Sequence, residues 1–424
     1  LVGTRENTDM NLLWKTTGAL EGVDIYHPES FVRFDYKGFE INFYRDIEKL
    51  KKSWLELSPQ DKEPIEEFYN SLLIVRSFDM GAKKPVDLMS LKEKLNMIKN
   101  MKKAFPVLMK YEKMTQRELA SKFSHPALRA AMESFLPEDY SALSVIFSLA
   151  FFTNGDASLP YGGSRAFALR MEKKYLSLGG KIQKSCEIEK VIKENKQIKK
   201  VISKKGEEFV GEYFIFACDV KQVFDKILES QHNDKAFEKR YQNQDIYPLS
   251  SEIQIAIGCQ DKLENIPRSI AFEAKDLSVM GKKIEYISFT HYAHEDKYAP
   301  RDHTIMISAI NQFEKDIEKW SELYKDKKEY NATKKQIAED VIKEIEIKFP
   351  KLKGKLKVVD VATPKTFERY CNAYKGAFMS FVSTTKSKRL NHKGNIKGLK
   401  NAFLSGQWLQ PPGGLPVALI TGKD

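Results

Sequence analysis

The segment FLSGQWLQPPGGLPVALITG, residues 403–422, decides the fold. It opens with an apolar run that is typical of a buried strand, and it continues through a turn in which three prolines and two glycines fall between positions 411 and 416. The apolar run that follows is typical of a helix, and Pro416 favours the first helical turn. A strand, a glycine turn and a helix in direct succession predict an α/β fold.

The same turn has the features of a ligand site. A helix that begins there presents unpaired backbone N–H groups and the positive end of its dipole, which attract an anion or an electron-rich ring edge. Gly413 and Gly414 would let that backbone approach a flat molecule without an intervening Cβ. The alternative is a plain strand-to-helix turn, which the same residues would also form.

Length and composition predict a globular protein of two domains. The chain has 424 residues, of which 42% are hydrophobic and 30% are charged. Its longest apolar run, residues 142–152, is too short to cross a bilayer as a helix, which needs about 20 residues. Four widely spaced cysteines without a CxxC motif indicate a reducing compartment and no metal framework, so we expect a cytoplasmic protein.

The chain is basic, with a formal net charge of +12. Such a charge suits nucleic acid or an anionic membrane surface as a partner. The lysines are scattered through amphipathic helices and turns, however, and the sequence has no RNP, zinc-finger or helix-turn-helix signature. We therefore expect a solvated basic surface and no nucleic-acid partner.

Residues 30–46 and 47–152 carry different apolar patterns. The first segment alternates apolar and polar residues around Lys37-Gly38, which predicts a β-hairpin. The second segment repeats apolar residues at spacings of three and four, which predicts a series of helices. Ser124 is expected to cap one of them.

Residues 161–218 predict a compact α/β unit. Its helix is entered through Gly162 and ends at Gly179. A strand and hairpins follow, and the run YFIFAC, residues 213–218, is typical of a strand buried on both faces. The apolar stripe of the helix is predicted to be Phe167, Met171, Tyr175 and Leu178.

A second β-rich block follows this unit. Its strand-like segments are SSEIQIAIGC, SIAFEA, KIEYISFTHYA and HTIMISAI. The helix after them is ended by Pro350. The α/β parts at 161–218 and 396–424 are therefore interrupted by β and α insertions, which predicts two interleaved domains rather than two successive ones.

Five segments together resemble one protein family. In chain order they are YGGSRAFALRMEKKYLSLGGKIQKSCEIEKVI, EYFIFACDV, HYAHEDKYAP, ATPKTFERYCNAYKGAFMS and FLSGQW…PPGGLPVALITG. They resemble the phytoene desaturase-like family of FAD-dependent oxidoreductases, which includes carotenoid isomerases and retinol saturases. In HYAHEDKYAP, Glu295 stands where the family has an aspartate.

The resemblance implies a mixed α/β fold, in which a Rossmann-like FAD-binding domain is interleaved with a substrate domain of β-sheet and helices. The FAD-binding domain would comprise residues 1–20, 153–230 and 390–424. The substrate-binding domain would comprise residues 21–152 and 231–389. Its helical insertion, 47–152, would line a long apolar tunnel and contact the inner face of the membrane as a peripheral, monotopic element. The alternative for this insertion is an ordinary helical core.

The resemblance also assigns cofactor contacts. The turn and helix start facing the pyrimidine end of the flavin would be Gly413, Gly414, Leu415 and Pro416. Ile188 would present backbone groups to the adenine side, and Gly3 would lie near the isoalloxazine. Residues 161–163 would support these contacts from behind, and Trp408 would pack behind the turn.

The implied reaction is hydride transfer between flavin N5 and an allylic or alkenyl carbon of a polyene, isoprenoid or other long apolar substrate. Desaturation, saturation and isomerisation share this scaffold, with NAD(P)H as an external reductant where one is needed. The sequence singles out no acid–base residue. His291 and His294 form an HxxH motif, but in a strand-to-loop region they are expected to point apart, so we predict no metal site.

One departure from the family concerns the cofactor phosphates. Family members open with a strand–GxGxxG–helix unit that holds the FAD pyrophosphate, and this sequence contains no GxGxxG. We therefore expect a βαβ portion of at least about 30 residues before Leu1, and more of the last helix after Asp424. Two alternatives stay open: an amine-oxidase-like flavoenzyme acting on a small amine, and a non-catalytic protein that has lost FAD and binds a lipid or a partner.

Overall fold

The protein is described by a computed structural model over residues 1–77, 88–137 and 139–424. Residues 78–87 and 138, which fall in the helical segment predicted at 47–152, lie outside the described residues. The described helices are Asp9–Thr16 (α1), Ile47–Leu57 (α2), Lys62–Arg76 (α3), Leu91–Met101 (α4), Ala104–Lys113 (α5), Gln116–Ser121 (α6), Pro126–Glu133 (α7), Leu143–Thr153 (α8), Gly163–Ser177 (α9), Val220–Gln222 (α10), Lys235–Gln242 (α11), Glu314–Leu323 (α12), Lys327–Lys348 (α13), Pro364–Cys371 (α14) and Leu415–Lys423 (α15).

The strands that the structure describes form four sheets. Their bounds are Ile25–Tyr26 (β1), Ser30–Tyr36 (β2), Phe39–Tyr44 (β3), Leu159–Pro160 (β4), Ile188–Glu194 (β5), Gln197–Ser203 (β6), Glu208–Val210 (β7), Phe214–Phe216 (β8), Ser251–Cys259 (β9), Ser269–Val279 (β10), Lys282–His291 (β11), Thr304–Gln312 (β12), Leu356–Ala362 (β13) and Ala402–Leu404 (β14). The chain combines a run of helices, α2 to α8, with four sheets and further helices, so the predicted mixed α/β class is confirmed.

The largest sheet has seven strands in the order β13-β9-β12-β11-β10-β2-β3. Its neighbouring strands are antiparallel except β10 and β2, which are parallel. The four predicted segments of the second β-rich block are its strands β9 to β12. Along β9 every second residue is buried, and Ile253, Ile255 and Ile257 pack in one core with Val341 of α13. The alternating pattern therefore identified the face that the helix covers.

The hairpin predicted at residues 30–46 is confirmed, and it forms one edge of this sheet. The turn residues Lys37 and Gly38 have φ values of 47° and 85°, as the tight hairpin turn requires. β2 also pairs in parallel with β10, where Arg33 lies opposite Ile270. An early segment of the chain thus joins strands from its second half.

The described part of residues 47–152 is helical, as predicted. These helices enclose a core in which Trp54 stacks on Phe68, with ring centroids 5.6 Å apart, and meets Phe43 of β3 edge-on at 5.3 Å. The apolar helix α8 contributes buried side chains along most of its length to the same core. The described helices thus anchor the hairpin end of the large sheet.

One predicted helix cap is wrong. The cap of α7 is His125, whose Nδ1 accepts a hydrogen bond from the Ala127 N–H at 3.2 Å. Ser124 is unavailable for this role because its N–H and its hydroxyl both donate to Asp61. Pro126 occupies the first helical turn, where proline is favoured.

The strands β14 and β8 form a parallel pair, and β5, β6 and β7 form an antiparallel meander that shares a core with them. The prediction that residues 213–218 are buried on both faces is wrong, since Ile215 is 68% exposed. The predicted stripe of α9 is buried only at Phe167, and Tyr175 and Leu178 are exposed. Within the described ranges no element covers these apolar surfaces. An apolar pattern in the sequence shows which residues share a face, but it does not show whether another element packs on that face.

The helices α1 and α15 pack against each other in a small core formed by Met10, Trp14 and Ile420. The described helices include none with both the length and the hydropathy that crossing a bilayer would need. The division into two interleaved domains stays a prediction.

Candidate functional site

The turn at 411–416 has the predicted strand–turn–helix geometry. β14 enters it and α15 leaves it. Gly413 and Gly414 have φ values of 90° and 89°, in the left-handed region that glycine adopts most easily. The Gln407 side chain holds the turn, since its Oε1 accepts a hydrogen bond from the Gly414 N–H at 3.1 Å.

The two glycines of the turn are needed for different reasons. A Cβ on Gly413 would lie 2.8 Å from the carbonyl oxygen of Gln407 and 3.0 Å from Oγ of Ser380, so packing excludes a larger residue. A Cβ on Gly414 would meet nothing closer than 3.8 Å. A Cβ on Gly414 would thus make only ordinary van der Waals contacts, with Pro416 and Met379, so packing leaves room beside this backbone.

The helix α15 begins at this turn without a side-chain cap. Its N-cap residue is Gly414, which has no side chain to bond the first N–H groups, and Pro416 lies in the first turn. These N–H groups carry the partial positive charge of the helix N-terminus. The four residues predicted for the flavin side, Gly413 to Pro416, therefore lie together at an uncapped helix start.

Ser380, the last residue of the segment ATPKTFERYCNAYKGAFMS, lies across the turn and was not predicted as a site residue. Its N–H donates to the carbonyl oxygen of Pro412 at 3.1 Å. Its hydroxyl is buried and makes no hydrogen bond to any described residue. Such a group is available to a ligand. Trp408 lies buried behind the turn, as expected, with its ring 5.4 Å from that of Phe381.

Gly3 lies under α1. Its N–H donates to the Asp156 carbonyl at 2.9 Å, and a Cβ there would lie 2.5 Å from Met10 and 2.6 Å from Trp14. Packing alone therefore requires glycine at this position. Because Met10 and Trp14 also pack with Ile420 of α15, the structure brings Gly3 and the terminal turn to the same pair of helices. The predicted contact of Gly3 with an isoalloxazine stays a prediction.

Ile188 lies apart from this pair, at a second cavity. It is the first residue of β5, and it lines a cavity of about 370 Å³ together with Phe216, Cys218 and Gln222. A cavity of this size holds a small flat ligand. Its assignment to the adenine side of a cofactor stays a prediction.

A larger cavity, of about 1110 Å³, was not predicted. It lies between the hairpin β2–β3 and the segments 262–269 and 291–305. Its lining is mostly polar and includes Arg33, Arg268 and His291. Because these segments are far apart in the chain, no local motif could have pointed to the cavity.

An aromatic cluster adjoins this cavity through Tyr26, which lines it. The ring of His294 stacks on Tyr26, with centroids 4.0 Å apart and planes inclined by 13°, and Tyr161 meets it edge-on at 5.9 Å. Burial, and after it the nearby positive charge of Arg268, lower the pKa of His294 to about 4. His294 is therefore neutral at physiological pH.

Arg268 is the prominent charge of the cavity. Its guanidinium lies over the ring of Tyr292, 5.8 Å from the centroid. No hydrogen bond or ion pair joins the guanidinium to any residue in the described ranges, and its Nε is buried. Burial lowers the pKa of Arg268 below its ordinary value, yet guanidinium groups stay protonated in proteins. The cavity thus holds a positive charge without a carboxylate partner.

The segment 291–298 is tied to the start of α9. Glu295 is buried, and its carboxylate accepts a hydrogen bond from the Gly162 N–H at 2.8 Å. A Cβ on Gly163 would overlap the hydroxyl of Tyr298. These contacts give residues 161–163 a structural role between α9 and the cavity loop.

The HxxH motif has separate contacts for its two imidazoles. His291 Nε2 lies 3.0 Å from the carbonyl oxygen of Ile266, so this nitrogen donates to that oxygen. His294 stacks on Tyr26 instead. Across the residues described, no three His, Cys, Asp or Glu side chains converge in a way that could hold a metal ion.

Comparison with known proteins shows similarity in fold only. No protein-family model matches the chain, and no curated protein does. An oxidoreductase from Methanosarcina mazei is 14% identical with a TM-score of 0.54, over 94% of this chain and 81% of that one. A protein from Pyrococcus furiosus is 16% identical with a TM-score of 0.50, over 99% and 81%. A putrescine oxidase variant with redesigned cofactor binding is 10% identical with a TM-score of 0.52, over 98% and 83%.

Proposed function

We propose that this chain is an FAD-dependent oxidoreductase of the phytoene desaturase-like type, which transfers hydride between flavin and an allylic or alkenyl carbon. The observation that carries this proposal is the turn at Gly414, where a left-handed glycine, room for a Cβ and an uncapped helix start coincide. The fold shared with an oxidoreductase from Methanosarcina mazei supports the reaction class. The five segments that resemble the family support the finer assignment.

The residues of the turn fit the ring end of a flavin. When bound, the isoalloxazine supplies the hydride acceptor or donor. The first N–H groups of α15 would hold its electron-rich pyrimidine edge, and Gly414 leaves room for the ring plane. The buried hydroxyl of Ser380 would donate a further hydrogen bond. The sequence offers no GxGxxG loop for the pyrophosphate, so this fit concerns the ring end alone.

The contribution of the chain itself is orientation and exclusion of water. Gln407 fixes the Gly414 N–H, and Gly413 packs too tightly for the turn to shift. Trp408 and Phe381 form a buried aromatic layer behind it. A rigid, dry backbone surface of this kind serves desaturation, saturation and isomerisation equally.

The flavin proposal is tested by titrating FAD into the purified protein and following the quenching of flavin fluorescence. Gly414→Val places a branched side chain in the open space beside the turn, so we expect FAD to bind at least about tenfold more weakly. Gly354→Val is the matched control, because Gly354 has a positive φ and open surroundings at another place in the fold. Equal FAD affinity of the Gly414 variant and the wild type would show that the turn is structural only.

We also propose that α4 makes the peripheral membrane contact expected of residues 47–152. Leu91, Leu95 and Ile98 follow one another at spacings of four and three along this helix, and all three are exposed. Lys92 and Lys99 lie on the same helix. Exposed apolar residues flanked by lysines are typical of a helix that lies in an anionic bilayer surface.

Sedimentation with lipid vesicles tests this contact. We expect the protein to sediment with phosphatidylglycerol vesicles and less with phosphatidylcholine vesicles, since the lysines add electrostatic attraction. The double variant Leu95→Asp, Ile98→Asp should stay in the supernatant. Leu12→Asp changes an exposed leucine of α1 and should behave as the wild type. Sedimentation of the double variant with phosphatidylglycerol would contradict the proposal.

A further inference from the structure

We propose that the large cavity binds the carboxylate of an unsaturated organic acid through Arg268, with the rings of Tyr26 and Tyr292 beside its planar carbons. This inference rests on the proposed function for the unsaturated character of the ligand. The binding site itself is argued from the cavity, and it does not require a flavin.

The first step concerns the unpaired charge. Arg268 is half-buried, and within the described ranges its guanidinium has neither an ion pair nor a hydrogen bond. A buried charge without a partner is unfavourable, because the lost hydration is not replaced. Arg33, which lines the same cavity, is by contrast neutralised by Asp35 at 2.8 Å and Glu40 at 3.3 Å. Arg268 is thus left for an anion from outside.

The second step excludes Glu295 as a permanent partner. Glu295 also lines the cavity, but its carboxylate accepts the Gly162 N–H at 2.8 Å and forms no ion pair with Arg268. This hydrogen bond holds the loop 291–298 to the start of α9. The positive charge of Arg268 therefore faces the cavity uncompensated by Glu295.

The third step gives the charge and shape of the anion. A guanidinium presents two parallel N–H donors that match the two oxygens of a carboxylate. A single carboxylate balances the charge of Arg268.

The fourth step gives the rest of the ligand. The rings of Tyr26 and Tyr292 line the cavity, and Tyr292 lies beneath the guanidinium of Arg268. Flat rings pack best against planar, conjugated carbons. A volume of about 1110 Å³ leaves ample space for a carbon skeleton beyond the carboxylate.

Calorimetric titration of the full chain with two pairs of probes tests this site. Each pair shares one carbon skeleton: trans-cinnamate with cinnamyl alcohol, and cis-parinarate with its methyl ester. We expect at least one acid to bind 10-fold or more tightly than its uncharged match, because only the acid neutralises Arg268.

The variants distinguish a specific role of Arg268 from a general effect of positive charge in the cavity. Arg268→Gln should reduce the preference for the acid to less than twofold, and Arg268→Lys should keep part of it. Arg301→Gln removes an exposed arginine from the rim of the same cavity and should leave the preference unchanged. The preference for the acid over its uncharged match is also measured on the wild type. The proposal can therefore fail even if a variant does not fold.

Two results would overturn the inference: equal or absent binding of acid and uncharged match by the wild type, or an equal loss in the Arg301 and Arg268 variants. The outcome is independent of the flavin proposal. A protein that binds the acid but takes up no FAD would refute only the flavin proposal. A flavoprotein with no preference for the acid would refute only the carboxylate site.

Discussion

The carboxylate of Glu295 accepts a hydrogen bond from the backbone N–H of Gly162 at 2.8 Å. This bond joins the loop after β11 to the start of α9, although the two segments are far apart in the sequence. Both segments belong to motifs that resemble the phytoene desaturase-like family, in which an aspartate stands at the position of Glu295. The same loop carries His294 and lines the large cavity. The bond therefore fixes one wall of the proposed carboxylate site.

The first prediction concerns this bond. Glu295→Leu should lower the free energy of unfolding by about 2 kcal/mol, because hydrogen bonds to charged groups contribute about 1.5–3 kcal/mol. Glu295→Gln keeps an acceptor oxygen of the same reach and should lose less than half as much. Urea denaturation followed by circular dichroism measures both. A leucine variant as stable as the wild type would mean that the loop is held by other contacts.

The second prediction concerns Gly163, whose φ is 65°. Gly163→Ala should lower the free energy of unfolding by about 2–3 kcal/mol, since its Cβ would overlap the Tyr298 hydroxyl in a left-handed backbone. Tyr298→Phe removes that hydroxyl, so the double variant should recover part of the loss. The remainder is the backbone strain of alanine, about 1 kcal/mol. Strictly additive losses in the double variant would rule out the overlap as the cause.

The third prediction concerns pH and His294. Its pKa is about 4 in the folded protein and about 6.5 when unfolded, so the unfolded chain takes up the proton first as the pH falls. Wild-type stability should therefore decrease from about pH 6.5 to pH 4 through this group. His294→Phe keeps a ring against Tyr26 but cannot be protonated.

Urea denaturation at several pH values tests this linkage. The stability of the His294→Phe variant relative to the wild type should rise as the pH is lowered through that window, and it should be constant above it. The carboxylates titrate in both proteins, so their effects cancel in the difference. A stability difference that does not change with pH would contradict the burial of a neutral His294.

Local patterns predicted the elements of this fold well. The turn at 411–416 and the hairpin at Lys37-Gly38 depend on glycine and proline geometry, which is set by neighbouring residues. The strands of the large sheet were predicted because one covered face makes every second residue apolar, as in β9. In these cases the physical cause acts within a few residues of the chain.

Features that depend on distant partners were not predicted. Periodicity marked Tyr175 and Leu178 as a core stripe, but burial also requires a covering element. His125 caps α7 instead of Ser124, because Ser124 donates hydrogen bonds to Asp61, which is distant in the sequence. Arg268 and its cavity likewise arise from the pairing of β2 with β10, which no local motif encodes.

The central claim of this account is that the turn at Gly414 holds the ring of a flavin. The most direct test is the visible absorption spectrum of the chain, purified together with any native sequence that flanks it, before and after incubation with FAD and removal of the free cofactor. We predict the absorption bands of oxidised protein-bound flavin. A colourless wild-type protein that also fails to retain added FAD would contradict the claim.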